Sequence, residues 1–181
     1  MGSDGWLGRL MREDTVRPGL LAVLAAGAAW AALCLVLAAD DHAPSVSLVP
    51  IPRARYYLAQ ASFVVPVLLV QWGVCVGVAR TVARRLGGAG AVRPLANGLG
   101  LALGLPLLSL FVVPDLIAYA VAGFEALGPL VRVTAPLAFV ATSVLATGAV
   151  RLAHGLGVGR ALVAALAGVL AQAVLGGMLL R

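Results

Sequence analysis

Five apolar runs of membrane-crossing length punctuate this chain, at residues 18–39, 61–79, 95–113, 133–150 and 161–180. An α-helix rises 1.5 Å per residue, so about 20 apolar residues cross a hydrocarbon layer about 30 Å thick. Within that layer every backbone N–H and C=O needs a partner inside the protein, and a helix supplies one within a single segment. The runs therefore predict an all-α fold, a polytopic transmembrane helical bundle of about five spans. Composition agrees, with 62% of residues hydrophobic, 11% charged and a mean hydropathy of +1.05. A soluble domain carries about 25% charged residues, and the polar shell that a water-soluble fold needs is missing here.

Charge placement gives the runs a direction. All 13 basic residues are arginine, and together with the Ala, Gly, Leu and Val richness this suggests GC-rich bacterial coding. In a soluble domain a net charge of +6 would point to nucleic acid. These arginines instead sit in short loops beside apolar runs, where they act as orientation signals, and no nucleic-acid partner is expected. Placing the N-terminus inside gives the inner segments Arg9, Arg12, Arg17, then Arg80, Arg84, Arg85, Arg93, then Arg151 and Arg160. The outer segments keep Arg53, Arg55, Arg132 and Arg181, offset by Asp40, Asp41, Asp115 and Glu125. The alternation predicts a cytoplasmic N-terminus and an outside C-terminus in the cytoplasmic (inner) membrane.

Two parts are expected: a cytoplasmic segment at 1–17 and a single membrane domain at 18–181. The first run follows three arginines and ends in Ala38 and Ala39, as a signal peptide would, but it exceeds the usual apolar core of about 7–15 residues and reads as an uncleaved span. Ahead of it, Ser3 or Asp4 is placed to cap a short helix with Trp6, Leu7, Leu10 and Met11 on one side and Arg9, Arg12 and Glu13 on the other. That pattern suits an amphipathic helix on the inner leaflet, the alternative being a frayed tail. Residues 40–60 hold Pro44, Pro50 and Pro52, which break a helix, and then Tyr56 and Tyr57 at the depth of an interfacial aromatic belt. Between Asp115 and Leu127 the chain is apolar nearly all round, with Asp115 after Pro114 placed as an N-cap; a short interfacial helix or an extension of the third span is expected.

Chemistry has few candidate carriers. Every ionisable residue falls at or beyond a span end, whereas a charge at mid-membrane would cost at least about 2.5–3.5 kcal/mol and mark a functional site. The polar groups at depth are Gln71, Ser109, Thr142, Ser143, Thr147 and Gln172. Such side chains usually bond between helices, at about 0.6 kcal/mol each, and Gln71, Gln172 and Ser143 are the candidate intramembrane polar contacts. His42 and His154 are expected on opposite sides of the membrane, unable to share an ion. Cys34 and Cys75 differ in depth by about 16 Å along the helices, too far for a disulfide. No Gly-x-Ser-x-Gly elbow is present. No catalytic residue, metal or cofactor is expected.

Small residues recur at four-residue spacing, at Gly73 and Gly77, at Gly100 and Gly104, and at Ala164, Gly168 and Gly176, the spacing that lets helix backbones approach. Pro66, Pro106 and Pro136 fall within spans and each removes a backbone donor. Arg80, Arg84, Arg85 and Arg93 surround a Gly87-Gly88-Ala89-Gly90 turn, a candidate contact for anionic lipids or a protein partner at about 1 kcal/mol per arginine, beside a topology-signalling role.

The order of features resembles the Ypt-interacting-protein (Yip) domain family of five-span membrane proteins. Arg55, Tyr56, Tyr57, Leu58, Ala59 and Gln60 lead into a span holding Pro66, Gln71 and Trp72; Arg84, Arg85, Leu86, Gly87 and Gly88 follow. Next come Leu105 and Pro106, then Pro114, Asp115 and Leu116, and finally His154, Gly155 and Leu156 ahead of Arg160, Ala161 and Leu162. The resemblance covers nearly the whole chain from the first span onward. It implies a helical membrane protein with a cytosolic N-terminus, whose eukaryotic relatives associate with Rab GTPases in vesicle traffic. The chain has no Asp-Leu-Tyr-Gly-Pro motif and only a short segment before the first span, so Rab binding is not carried over. For a bacterial member the resemblance supplies no reaction and no catalytic residue.

The resulting expectation is a non-enzymatic membrane scaffold or accessory subunit in membrane transport or organisation, with a membrane-protein partner or a second copy of itself. The alternative is a small permease or lipid-handling protein with a cavity near Gln71 and Gln172.

Overall fold

The structure, a computed structural model, describes residues 6–44 and 51–179, and for Leu7, Arg12 and residues 177–179 the backbone only. The expected cap at Ser3 or Asp4, Pro50 and the terminal Arg181 lie outside the described residues. Every regular element described is helical. These are α1 (Trp6–Arg12), α2 (Arg17–Ala39), α3 (Tyr56–Arg85), α4 (Val92–Pro106), α5 (Val113–Ala122), α6 (Leu127–His154) and α7 (Val158–Leu179). Five continuous helical stretches are long and apolar enough to cross a membrane: Arg17–Ala39, Arg53–Arg85, Val92–Ala122, Phe124–His154 and Val158–Gly176.

The helices outrun the apolar windows that announce them. α3 starts five residues before the run at 61–79 and continues to Arg85. Its polar ends remain helical because the backbone ladder does not require apolar side chains, and at 1.5 Å per residue its length of about 45 Å exceeds the hydrocarbon thickness. Tyr56, expected at the interfacial belt, is buried in the protein instead.

The third span is one continuous stretch from Val92 to Ala122, interrupted by a π-helical turn at Leu107–Val112. Pro106 immediately precedes this turn. Lacking an N–H, it cannot complete the ladder, and beyond it Val113 N–H reaches back five residues to Leu108 O. Residues 115–122 are thus an extension of the span. Asp115 lies in the first turn of α5 and is not its cap. Gly123, at φ 78°, ends the stretch in a backbone region that a side chain would resist, and one 3-10 turn leads into α6.

α4 sits innermost. It touches α2, α3 and α6, while α2 packs on α3, α3 on α7 and α7 on α6. All ten residues from 95 to 104 are buried, nine of them Leu, Ala or Gly and the tenth Asn97, as expected for a helix apolar on nearly every face. A Cβ on Gly100 would stand 2.7 Å from the Cα of Gly19, one on Gly104 would stand 2.8 Å from Val23 N, and one on Gly98 would stand 2.6 Å from the Cβ of Ala149. On α7, a Cβ on Gly168 would stand 2.7 Å from Cys75 O. These glycines bring the backbone of α4 against that of α2 and the backbone of α7 against that of α3, and let α4 meet the Ala149 methyl of α6. Gly73 and Gly77 do not: nothing lies within 4 Å of either position. The buried stripe of α3 runs through Gln60, Val64, Leu68, Gln71, Cys75, Ala79 and Ala83, which turns both glycines outward.

α1 forms where the apolar pattern placed it, but docks on α4 and α6 at the end of the bundle. Met11 is 5% exposed and belongs to the main core with Leu95, Leu99 and Val150. Trp6 stays 63% exposed.

Candidate functional site

The alternating helices gather Arg9, Arg17, Arg80, Arg84, Arg85, Arg93, Arg151 and Arg160 at one end of the bundle. There α3 closes with paired backbone bonds, from Gly87 N–H to Arg84 O at 3.1 Å and from Gly88 N–H to Ala83 O at 2.9 Å. Gly87 takes φ 90°, the left-handed residue such a termination requires. The chain then turns onto the C-terminus of α6. His154 Nδ1 accepts the Gly90 N–H at 3.0 Å, and a Cβ on Gly90 would stand 2.8 Å from the His154 Cα. A Cβ on Gly88 would meet the His154 Cβ at 2.9 Å. Glycine at both positions is what lets the loop lie on the helix.

His154 is 6% exposed and its Nε2 has no hydrogen-bond partner. Arg80 is half-buried, and its Nε is likewise shielded without a partner. Arg80 lies one helical turn before Ala83, whose carbonyl oxygen and the His154 Cβ both stand within 3.0 Å of the Gly88 Cβ position. Arg84, Arg85 and Arg93 are exposed around the loop, and Arg160 donates to Leu86 O at 3.5 Å. The four arginines expected to face lipid or a partner are therefore brought to one end, with Arg80 partly sunk beside His154 and the other three outward.

Next to this end lies a contact that the sequence did not single out. Asn97, fully buried, accepts the Gly19 N–H at 2.8 Å and donates to Leu10 O at 2.6 Å. Trp72 Nε1 donates to Ala96 O at 2.9 Å one residue away. The available signal was an amide in the first turn of a glycine-rich apolar run. Gln60, also buried, accepts from Cys34 Sγ at 3.4 Å.

At mid-span the expected polar contacts divide. Ser143 bonds to Phe139 O, Thr147 to Ser143 O and Ser109 to Leu105 O, each at 2.8 Å and each within its own helix. Interhelical bonding is therefore not what these three hydroxyls do, because the i−4 carbonyl is nearer than any neighbouring helix. Gln71 and Gln172 are both buried on the packed pair α3 and α7, with Gln71 Nε2 and Gln172 Oε1 unpartnered. Gly176 makes room for the Gln71 amide, a Cβ there standing 3.0 Å from Nε2. Gln172 and Thr142 also line a cavity of about 100 Å³ among Leu103, Leu107, Phe139 and Val169.

The opposite end carries aromatic groups. His42 stacks on Phe124 with centroids 4.4 Å apart and planes 7° from parallel, Tyr57 meets Phe124 edge-on, and Tyr119 donates to Asp40. His42 and His154 thus lie at opposite ends. Cys34 and Cys75 are free and buried. Among the described residues no group of three or more His, Cys, Asp or Glu side chains is arranged to hold a metal.

The chain matches no family model, no curated protein and no solved structure. Its own geometry carries the functional reading.

Proposed function

We propose that this chain is a non-enzymatic scaffold or accessory subunit of the cytoplasmic membrane, similar in layout to the Yip family, with its N-terminus and arginine-rich end in the cytoplasm. The observation that carries this reading is the glycine-mediated contact of α4 with α2, reinforced by Asn97. Helices joined backbone to backbone form a stiff unit suited to holding a partner rather than opening a path. Orientation follows from the arginine asymmetry between the two ends, since cytoplasmic loops retain arginine. Extraction in a gentle detergent followed by affinity purification should bring down a membrane-protein partner or a second copy. A chain that is reproducibly solitary and moves a solute in liposomes would sink the proposal.

The cavity beside Thr142 and Gln172 favours a second reading, a small permease or lipid-handling protein. At about 100 Å³ it has room for a few water molecules or a short stretch of acyl chain. Solute flux abolished by Gln172→Leu in liposomes would favour this reading over the scaffold.

A further inference from the structure

The structure assigns a phosphate-binding site to the arginine-rich end, and we propose that His154 and Arg80, with Arg84 at the rim, hold the phosphate of an anionic glycerophospholipid. The assignment of a lipid source rests on the membrane reading above.

Three observations converge on it. The Gly90 N–H bond to Nδ1 requires a lone pair there, which places the imidazole proton on Nε2 as a donor. That donor belongs to a side chain 6% exposed and has no acceptor. Arg80 Nε–H is a second shielded donor without an acceptor, one helical turn before Ala83, whose carbonyl oxygen and the His154 Cβ both lie within 3.0 Å of the same Gly88 Cβ position. Buried polar groups are almost always satisfied, and two orphan donors beside an additional arginine call for an acceptor carrying negative charge. A phosphate offers several oxygens to this fork and suits guanidinium geometry.

The depth suits a lipid. α3 runs about 45 Å, so the turn holding Arg80 and Arg84 emerges where headgroups lie when the helix middle occupies the hydrocarbon. The loop from Leu86 to Gly90, clasped on His154, fixes the ring. Arg85 and Arg93 are exposed and add attraction without belonging to the site.

The full chain, purified in detergent and stripped of lipid, is the material for the test. Its melting temperature is read with a thiol-reactive dye while phosphatidylglycerol, phosphatidylcholine or inorganic phosphate is added, and native mass spectrometry counts retained lipids. Phosphatidylglycerol is expected to be retained and to raise the melting temperature, with phosphatidylcholine and inorganic phosphate giving little. Arg80→Met removes the guanidinium and keeps the apolar stem. His154→Asn keeps an acceptor for Gly90 N–H and removes the Nε2 donor. Each should weaken phosphatidylglycerol binding about ten-fold, the size of one charge-assisted hydrogen bond, while Arg85→Gln leaves it unchanged. Equal binding by Arg80→Met, His154→Asn and the parent chain overturns the site, as does an equal loss in Arg85→Gln. Protection by inorganic phosphate as strong as by phosphatidylglycerol overturns the lipid source. Should either variant fail to fold, lipid selectivity of the parent chain decides: phosphatidylcholine retained as well as phosphatidylglycerol overturns the proposal. A solitary, lipid-selective chain would leave this site standing while removing the scaffold reading.

Discussion

Asn97 caps a helix to which it does not belong. Its Oδ1 accepts the N–H of Gly19, one of the donors that the first turn of α2 leaves without an intrahelical partner. The residue at the natural cap position, Val16, has no side chain able to accept that bond. The same amide donates through Nδ2 to Leu10 O in the last turn of α1. One side chain on α4 thus closes the end of α1 and the start of α2, and no residue within either helix could do both.

Replacing Asn97 with Ala should lower stability by about 1–3 kcal/mol, because Gly19 N–H is then buried without an acceptor. Cys34 and Cys75, both free and buried, make the chain its own reporter. Thiol-dye melting in detergent should show a clear fall in midpoint for Asn97→Ala, and an unchanged midpoint would remove Asn97 from the framework.

Equal sequence spacing should give unequal outcomes at Gly104 and Gly77. Gly104→Ala forces a methyl against the α2 backbone at Ala22 and Val23, a strain of about 1–3 kcal/mol. Gly77→Ala meets open space and should be neutral or raise stability by up to about 1 kcal/mol through helix propensity. The same melting assay compares them, and matching effects would contradict the packing.

Orientation can be read from single added thiols. Ala89 and Glu125 are both exposed and lie at opposite ends of the bundle, while the native cysteines are shielded. Glu125→Cys should react with a membrane-impermeant maleimide on intact cells, and Ala89→Cys only after permeabilisation. The reverse pattern would place the arginine-rich end outside.

Much of the architecture was legible in advance, for a physical reason particular to membranes. Lipid demands long, continuous apolar helices, so 18–39 in the sequence becomes Arg17–Ala39 in the structure almost unchanged. Boundaries drifted where side chains turn polar before the helix ends, as from Tyr56 to Gln60 and from Arg80 to Arg85. At the arginine-rich end the loop arginines were legible from charge, whereas His154 as their neighbour was not, because 64 residues separate it from the Gly90 that holds its ring.

The sequence by itself determined how many helices are long and apolar enough to cross a membrane and which ends collect arginine, since these depend on hydropathy and charge counted along one dimension. Only the tertiary structure decided which glycines are contacts. Gly73 and Gly77 share their spacing with Gly100 and Gly104, but a stripe of buried residues from Gln60 to Ala83 turns the first pair outward, and the position of α2 claims the second. In a chain apolar on every face, periodicity cannot say which face meets a neighbour. That choice lies in complementarity between helices, where a missing Cβ or one buried amide such as Asn97 decides the fit.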